Sequence, residues 1–326
     1  MKFLKLLLIL PIVALCFGCG STKPTIEDDL RIGTGGEGGM YYTYGTELAK
    51  LTAADGKIRP LDVKTTSGSA SNLRLFKEKA IDLAIVQSDT LAAAVNAGEN
   101  FSNDGKGFSY AAVAAVYPEV CQIVVLKDSG IQTVNDLVGK RVSISDLESG
   151  SMRNALQILE AHGITKEMFS PLYMSFAESA KALQDGMIDA FFVTACVPSL
   201  PITNLTDAKE IRLLSISEDV QKNLMNVYSG YTQYKIPAND YKGQTEEIYT
   251  IAVKAVLVAS TEIPDEEIGY LTEFVLKNYE NLPHDDNIKL DVKFATEDVP
   301  SSFQSGAVTF YKSQGVTVDV FSDGKN

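Results

Sequence analysis

Arg31-Ile32-Gly33-Thr34-Gly35-Gly36-Glu37-Gly38-Gly39-Met40-Tyr41-Tyr42-Thr43-Tyr44 reads as a short strand, a glycine-rich turn and the first turn of a helix. The helix follows from Tyr41, Tyr44, Leu48 and Leu51, which recur at spacings of three and four residues. Such a strand-turn-helix leaves backbone N–H groups pointing outward at the helix start, where the helix dipole favours a negative group. Glycine permits close approach of a ligand to that backbone.

Working outward, Ile58 to Thr65 is expected to be a strand. Thr66-Ser67-Gly68-Ser69 forms a polar turn capping a helix from Ala70 to Lys79, and Ile81 to Gln87 is a strand that stops at Gln87-Ser88-Asp89. The order then recurs. Arg141 to Ile144 is a strand, Glu148-Ser149-Gly150-Ser151 a small-residue turn, Met152 to His162 and Phe176 to Asp185 are helices, and Ile188 to Thr194 is a strand. Arg31-Ile32 maps onto Arg141-Val142 and Ile81-Asp82 onto Ile188-Asp189 at nearly equal offsets, which predicts two α/β lobes on one plan. The apolar runs Tyr117 to Leu126 and Ile248 to Ala259 flank the second copy, where a two-strand hinge needs extended segments. The expected division is lobe one at 30–119 plus 251–326 and lobe two at 120–250.

Lys2 and Lys5 precede an apolar run from Leu6 to Phe17, too short to span a bilayer but suited to a signal peptide over residues 1–18. Gly18-Cys19 after that run resembles the lipobox of bacterial lipoproteins, with Cys19 the acylated residue and 19–29 a polar tether. Cys16 stands where that motif usually has leucine, and plain secretion or an uncleaved anchor are the alternatives. Removing residues 1–18 deletes two lysines and no acid, leaving 27 basic against 42 acidic residues, a net −15. Such a surface repels nucleic acid and anionic lipid. Cys121 and Cys196 sit in apolar runs and read as two buried free thiols, although export also permits a disulfide.

Three turns, Gly33 to Gly39, Thr66 to Ser69 and Glu148 to Ser151, thus offer amide and hydroxyl donors to a small anionic solute from both lobes. Gly33 to Gly38 also fits the dinucleotide pattern G-x-G-x-x-G, which leaves open an exported enzyme using this turn as a phosphate loop. Against it, Asp62 lies mid-strand rather than at the strand end, and Glu37 adds negative charge near the phosphates. His162 and His284 are far apart, and no catalytic or metal-binding constellation is present, so neither catalysis, a cofactor nor a metal is expected. Tyr42, beside the first turn, and Tyr117, at the hinge, are the aromatics expected at the cleft.

Ile32-Gly33-Thr34-Gly35-Gly36, Gly38-Gly39, Tyr41-Tyr42, Ser69, Asn72-Leu73-Arg74, Ile81-Asp82-Leu83, Val86-Gln87-Ser88-Asp89, Tyr117-Pro118-Glu119-Val120, Ser149-Gly150-Ser151 and Ile188-Asp189-Ala190-Phe191-Phe192 together resemble the TAXI family of TRAP-transporter solute receptors. The late Gly306-Ala307 and Tyr311-Lys312 match as well. The resemblance implies a two-lobed periplasmic binding protein fold, type II-like with a two-strand hinge, that delivers glutamate or a related carboxylate to a TRAP membrane permease. By motif position it implies that Thr34, Gly35, Tyr42, Ser67, Ser69, Gln87, Ser149 and Ser151 face the ligand. Gly36, Gly68, Ser88, Tyr117, Gly150, Phe192 and Cys196 complete the expected site. Glu37, Met40, Thr43, Cys196 and Gln304 depart from the family's usual residues, and the added acid Glu37 bears on which solute is taken.

Overall fold

A computed structural model describes residues 29–96, 101, 109–285 and 288–322. The signal peptide, Cys19 and all of the tether but Asp29 lie outside these residues. No described helix is long and apolar enough to cross a membrane.

The first lobe opens with β1 (Leu30–Gly33), α1 (Met40–Asp55), β2 (Leu61–Lys64), α2 (Ser69–Lys77), β3 (Leu83–Gln87), α3 (Ser88–Val95) and the long β4 (Tyr110–Leu126). The second contains β5 (Arg141–Ser143), α4 (Gly150–Ala161), β6 (Ser170–Leu172), α5 (Phe176–Gln184), β7 (Ala190–Ala195), α6 (Leu200–Ala208), β8 (Ile211–Leu213), α7 (Glu218–Val227) and β9 (Thr232–Ile236). The chain returns through β10 (Ile248–Ser260) to α8 (Asp265–Lys277), α9 (Val292–Thr296) and α10 (Ser305–Ser313).

The strand order is β2-β1-β3-β10-β4-β7-β5-β6, with β8 on β4 and β9 on β10. β2-β1-β3 and β6-β5-β7 are the same parallel arrangement built twice. The residues that betray the repeat in the sequence are in contact in both copies. Arg31 grips Asp82 with its backbone N–H (2.9 Å), Nε (2.8 Å) and Nη2 (2.9 Å). Arg141 grips Asp189 through the same three groups at 2.8, 3.1 and 2.7 Å. Each pair bolts the start of the first strand of its lobe to the residue leading into the third.

Local chemistry sets the ends of the helices. Gly56, at φ 74, terminates α1 in the left-handed region that favours glycine. Ser149 caps α4 by accepting from the Met152 N–H, and Ser175 with Glu178 forms a capping box at α5. The strand β3 is buried at every residue, as a parallel strand covered on both faces must be. The helix α3 was not anticipated: it follows β3 with no intervening loop, an alanine-rich helix buried almost throughout.

β4 and β10 run through both lobes. β10 pairs with β3 over Ala255–Ala259 and with β9 over Ile248–Ala252, while β4 pairs with β7 over Val120–Val125. Where the partners change, Pro118 faces Lys254 and supplies no ladder donor. The ladder also slips between Ala255 and Val256 and between Leu257 and Val258. One apolar core packs around β1–β3 with α8 and α10; two further cores cover the opposite faces of the sheet in the second lobe, one with α4 and α7, the other with α5 and α6. Cys121 and Cys196 are free and buried.

Candidate ligand-binding cleft

A cavity of about 320 Å³ lies between the lobes. The glycine turn before α1 and the Ser67-Gly68-Ser69 turn form one wall, and Ser145, Asp146, Ser149, Gly150 and Ser151 the other. Gln87 and Glu119 contribute from β3 and β4, Ser175, Phe176 and Ala177 from the start of α5, and Thr194 and Ala195 from β7. Expected site residues Gly35, Gly36, Ser67, Gly68, Ser69, Gln87, Ser149, Gly150 and Ser151 are therefore brought together.

Thr34, Tyr42, Ser88, Tyr117, Phe192 and Cys196 lie outside the cavity lining, each for a definable reason. Thr34 is fully buried; its Oγ1 donates to the Lys64 carbonyl at 2.8 Å. Its carbonyl accepts from Thr66 Oγ1 and Asn72 Nδ2, both at 2.8 Å, so it braces the turn from behind. Ser88 stands just past the end of β3, and its Oγ takes the Lys254 N–H (3.0 Å) that the strand can no longer meet. The Tyr117 ring packs on Tyr44 at 5.5 Å in the first core, Phe192 is buried in the second lobe, and the Cys196 thiol donates to the Pro118 carbonyl. Tyr42 is half-buried, and Tyr41 lines the cavity in its place. The signal for Tyr41 was present: it shares the inward face of α1 with Tyr44 and Leu48, whereas Tyr42 is a third of a turn away.

The lobes touch across the cleft. Glu148, at φ 65, turns its carbonyl onto the Ala70 and Ser71 amides at 3.1 and 3.2 Å. The start of α2, expected to present amides to a ligand, spends them on the opposite lobe and offers the Ser67 and Ser69 side chains instead. Arg74 pairs with Glu148. Deeper in, Asp89 of α3 accepts from Arg153 and from Asn154 Nδ2 (2.9 Å) of α4, a buried interlobe ion pair. At the start of α4, the Gly150 and Ser151 N–H groups meet no acceptor among the described residues. The Gln87 Oε1 is buried and also without a partner there. A Cβ at Gly150 would overlap that oxygen, so any larger residue there has to displace the Gln87 side chain.

Glu119 was missed, although a lone acid in the apolar run of β4 marks it in the sequence. It is 3% exposed, accepts from the Tyr41 hydroxyl at 2.7 Å, and burial pushes its carboxyl up to about 8. Asp146 is also raised, by burial and then by the charge of Glu178. Among the described residues, no Lys, Arg or His lines the cavity. For the dinucleotide reading, Asp62 is ion-paired to Lys64 within β2 at 2.5 Å, and the residue at the strand end, where the ribose-binding acid is expected, is Lys64.

Two lobes on a pair of shared strands, enclosing a cavity built from helix starts, define a two-lobed periplasmic binding protein fold of the type II-like kind. Its α/β class and hinge are those expected from the sequence. The chain belongs to the NMT1-like family, whose model matches residues 32–315. Among solved structures it is similar to the periplasmic aliphatic sulphonate binding protein SsuA from Escherichia coli, at 21% identity over 78% of this chain and 72% of that one, TM-score 0.46. It is also similar to the GluR0 ligand-binding core from Nostoc punctiforme in complex with L-glutamate, at 16% identity over 77% and 93%, TM-score 0.44.

Proposed function

We propose that this chain is an extracytoplasmic solute receptor of the TAXI type, which captures a small carboxylate between its lobes and passes it unaltered to a TRAP-type permease. In this reading acylated Cys19 tethers it to the membrane, and segments 30–119 plus 251–326 close against 120–250. The observation that carries it is the interlobe cavity, where unpartnered amides at the start of α4 meet serine hydroxyls and Gln87 across the cleft. Backbone amides with the helix dipole and hydroxyls suit a carboxylate without a cationic side chain. Native mass spectrometry of freshly purified protein should reveal a carried-over organic acid, and carboxylates should raise Tm in a concentration-dependent manner. Gln87→Ala and Ser151→Ala should each weaken binding by about 1 kcal/mol or more. A folded protein whose Tm responds to no amino or organic acid would overturn this reading.

A further inference from the structure

The strongest feature that the receptor reading leaves unexplained is a buried acid in a cavity meant for an anion. Glu119 projects from the hinge strand β4 into the cavity, with no basic residue lining it among the described residues. The hydrogen bonds around it form a chain. The Gln87 backbone N–H must donate to Ser69 Oγ (3.0 Å). The Tyr41 hydroxyl donates to Glu119 Oε2 (2.7 Å) and lies 3.3 Å from Ser69 Oγ, a contact in which either hydroxyl can be the donor. Oε2 is thus taken up by the Tyr41 hydroxyl. Oε1 has no hydrogen-bond partner among the described residues. With Tyr41 donating to Oε2, a proton on this carboxyl belongs on Oε1.

We propose that Glu119 is a specificity-determining residue, held as a neutral carboxylic acid whose Oε1–H donates to the carboxylate of the ligand, so that capture is linked to one proton. This rests on the carboxylate-receptor reading and deepens it: the ligand's negative group is held wholly by uncharged donors, from Glu119, the serines and the α4 amides. The groups around Glu119 leave it the proton. Burial first, and then the charge of Glu119 itself, keep Tyr41 and Tyr117 protonated well past neutrality. The Cys121 and Cys196 thiols are raised chiefly by burial. Asp89, the remaining acid that acts on Glu119, is ion-paired with Arg153. Glu37 and Asp146, elsewhere on the lining, are the other acids to control for.

The sign follows from which form binds. Protonated Glu119 is the competent state, so affinity is level below about pH 8 and falls by up to tenfold per pH unit above it. A ligand ammonium seated on ionised Glu119 would give the opposite slope.

Two measurements test this. Difference infrared spectra of unliganded wild type against Glu119→Gln should show a protonated-carboxyl stretch at pH 7 that fades above about pH 8. Calorimetric titration with L-glutamate, succinate and propionate should give the alkaline loss of affinity in wild type. Glu119→Gln, whose amide still donates, should bind at neutral pH with a flat profile from pH 7 to 9, and Glu37→Gln and Asp146→Asn should each keep the wild-type slope. Lack of the infrared band at pH 7, with carboxylates bound independently of pH, overturns this inference alone. If 1,4-diaminobutane binds instead, more tightly as pH rises, both this inference and the carboxylate reading fall. If none of these probes binds, the infrared arm still decides: an ionised Glu119 at pH 7 overturns the inference.

Discussion

Gly150 shows how much of the cleft hangs on a single absent atom. Its neighbour across the lobes is the Gln87 side chain, and a methyl group there would collide with the Gln87 carbonyl oxygen while also crowding Ser69 Oγ at 3.0 Å. Overpacking of this kind costs about 1–3 kcal/mol in a well-packed contact. Gly150→Ala should therefore lower Tm, and adding Gln87→Ala in the same chain should recover most of the loss, a coupling read from thermal denaturation of the four proteins. Gly68, at φ 107 and facing Ser149 across the same gap, has the complementary constraint: the space is adequate but the backbone favours glycine.

At the scale of elements, the paired arginine-aspartate bolts explain why each lobe orders its strands identically. Burial opposes ionisation of Asp82, yet the hydrogen bonds and charge of Arg31 outweigh it, and the carboxyl sits below its usual range. Hydrogen bonds from Arg141 lower Asp189 in the same way. A depressed carboxyl stabilises the fold above its unfolded value and loses that contribution as pH falls through its folded value. Asp82→Asn should cost about 1 kcal/mol at neutral pH, allowing for solvent screening, and the difference from wild type should shrink as pH falls through the lowered Asp82 value. Asp189→Asn should show the same trend with a smaller loss, because Arg141 is the more exposed partner; urea denaturation across pH checks both.

For the whole molecule, the contact between lobes is polar and specific rather than a continuous apolar core. Asp89 is fully buried and answered by Arg153 and Asn154 from the facing lobe. Removing one member of a buried pair leaves the other charge uncompensated, at about 3–5 kcal/mol. Arg153→Leu should accordingly destabilise the closed arrangement, and small-angle scattering should record a larger radius of gyration. Asp89→Asn in the same chain should draw it back toward the wild-type value.

What could be read directly from the chain was whatever depends on neighbours in sequence. Helix spacing in Tyr41, Tyr44 and Leu48, turn chemistry at Ser149-Gly150, apolar strands such as Leu83–Gln87, and the doubled Arg31/Asp82 and Arg141/Asp189 anchors all act within a few residues or recur visibly. They define an α/β chain with two like lobes and mark most of the turns that line the cavity. Tertiary structure alone decided the rest, because it depends on groups far apart in sequence meeting across a gap. Only folding shows that Glu148 consumes the α2 amides, that Ser88 and Thr34 serve the backbone, and that Tyr41 reaches Glu119 across 78 residues. The charge state of Glu119 belongs to the same category: an acid in a sequence is an anion by default, and it takes a desolvated site to keep the proton on.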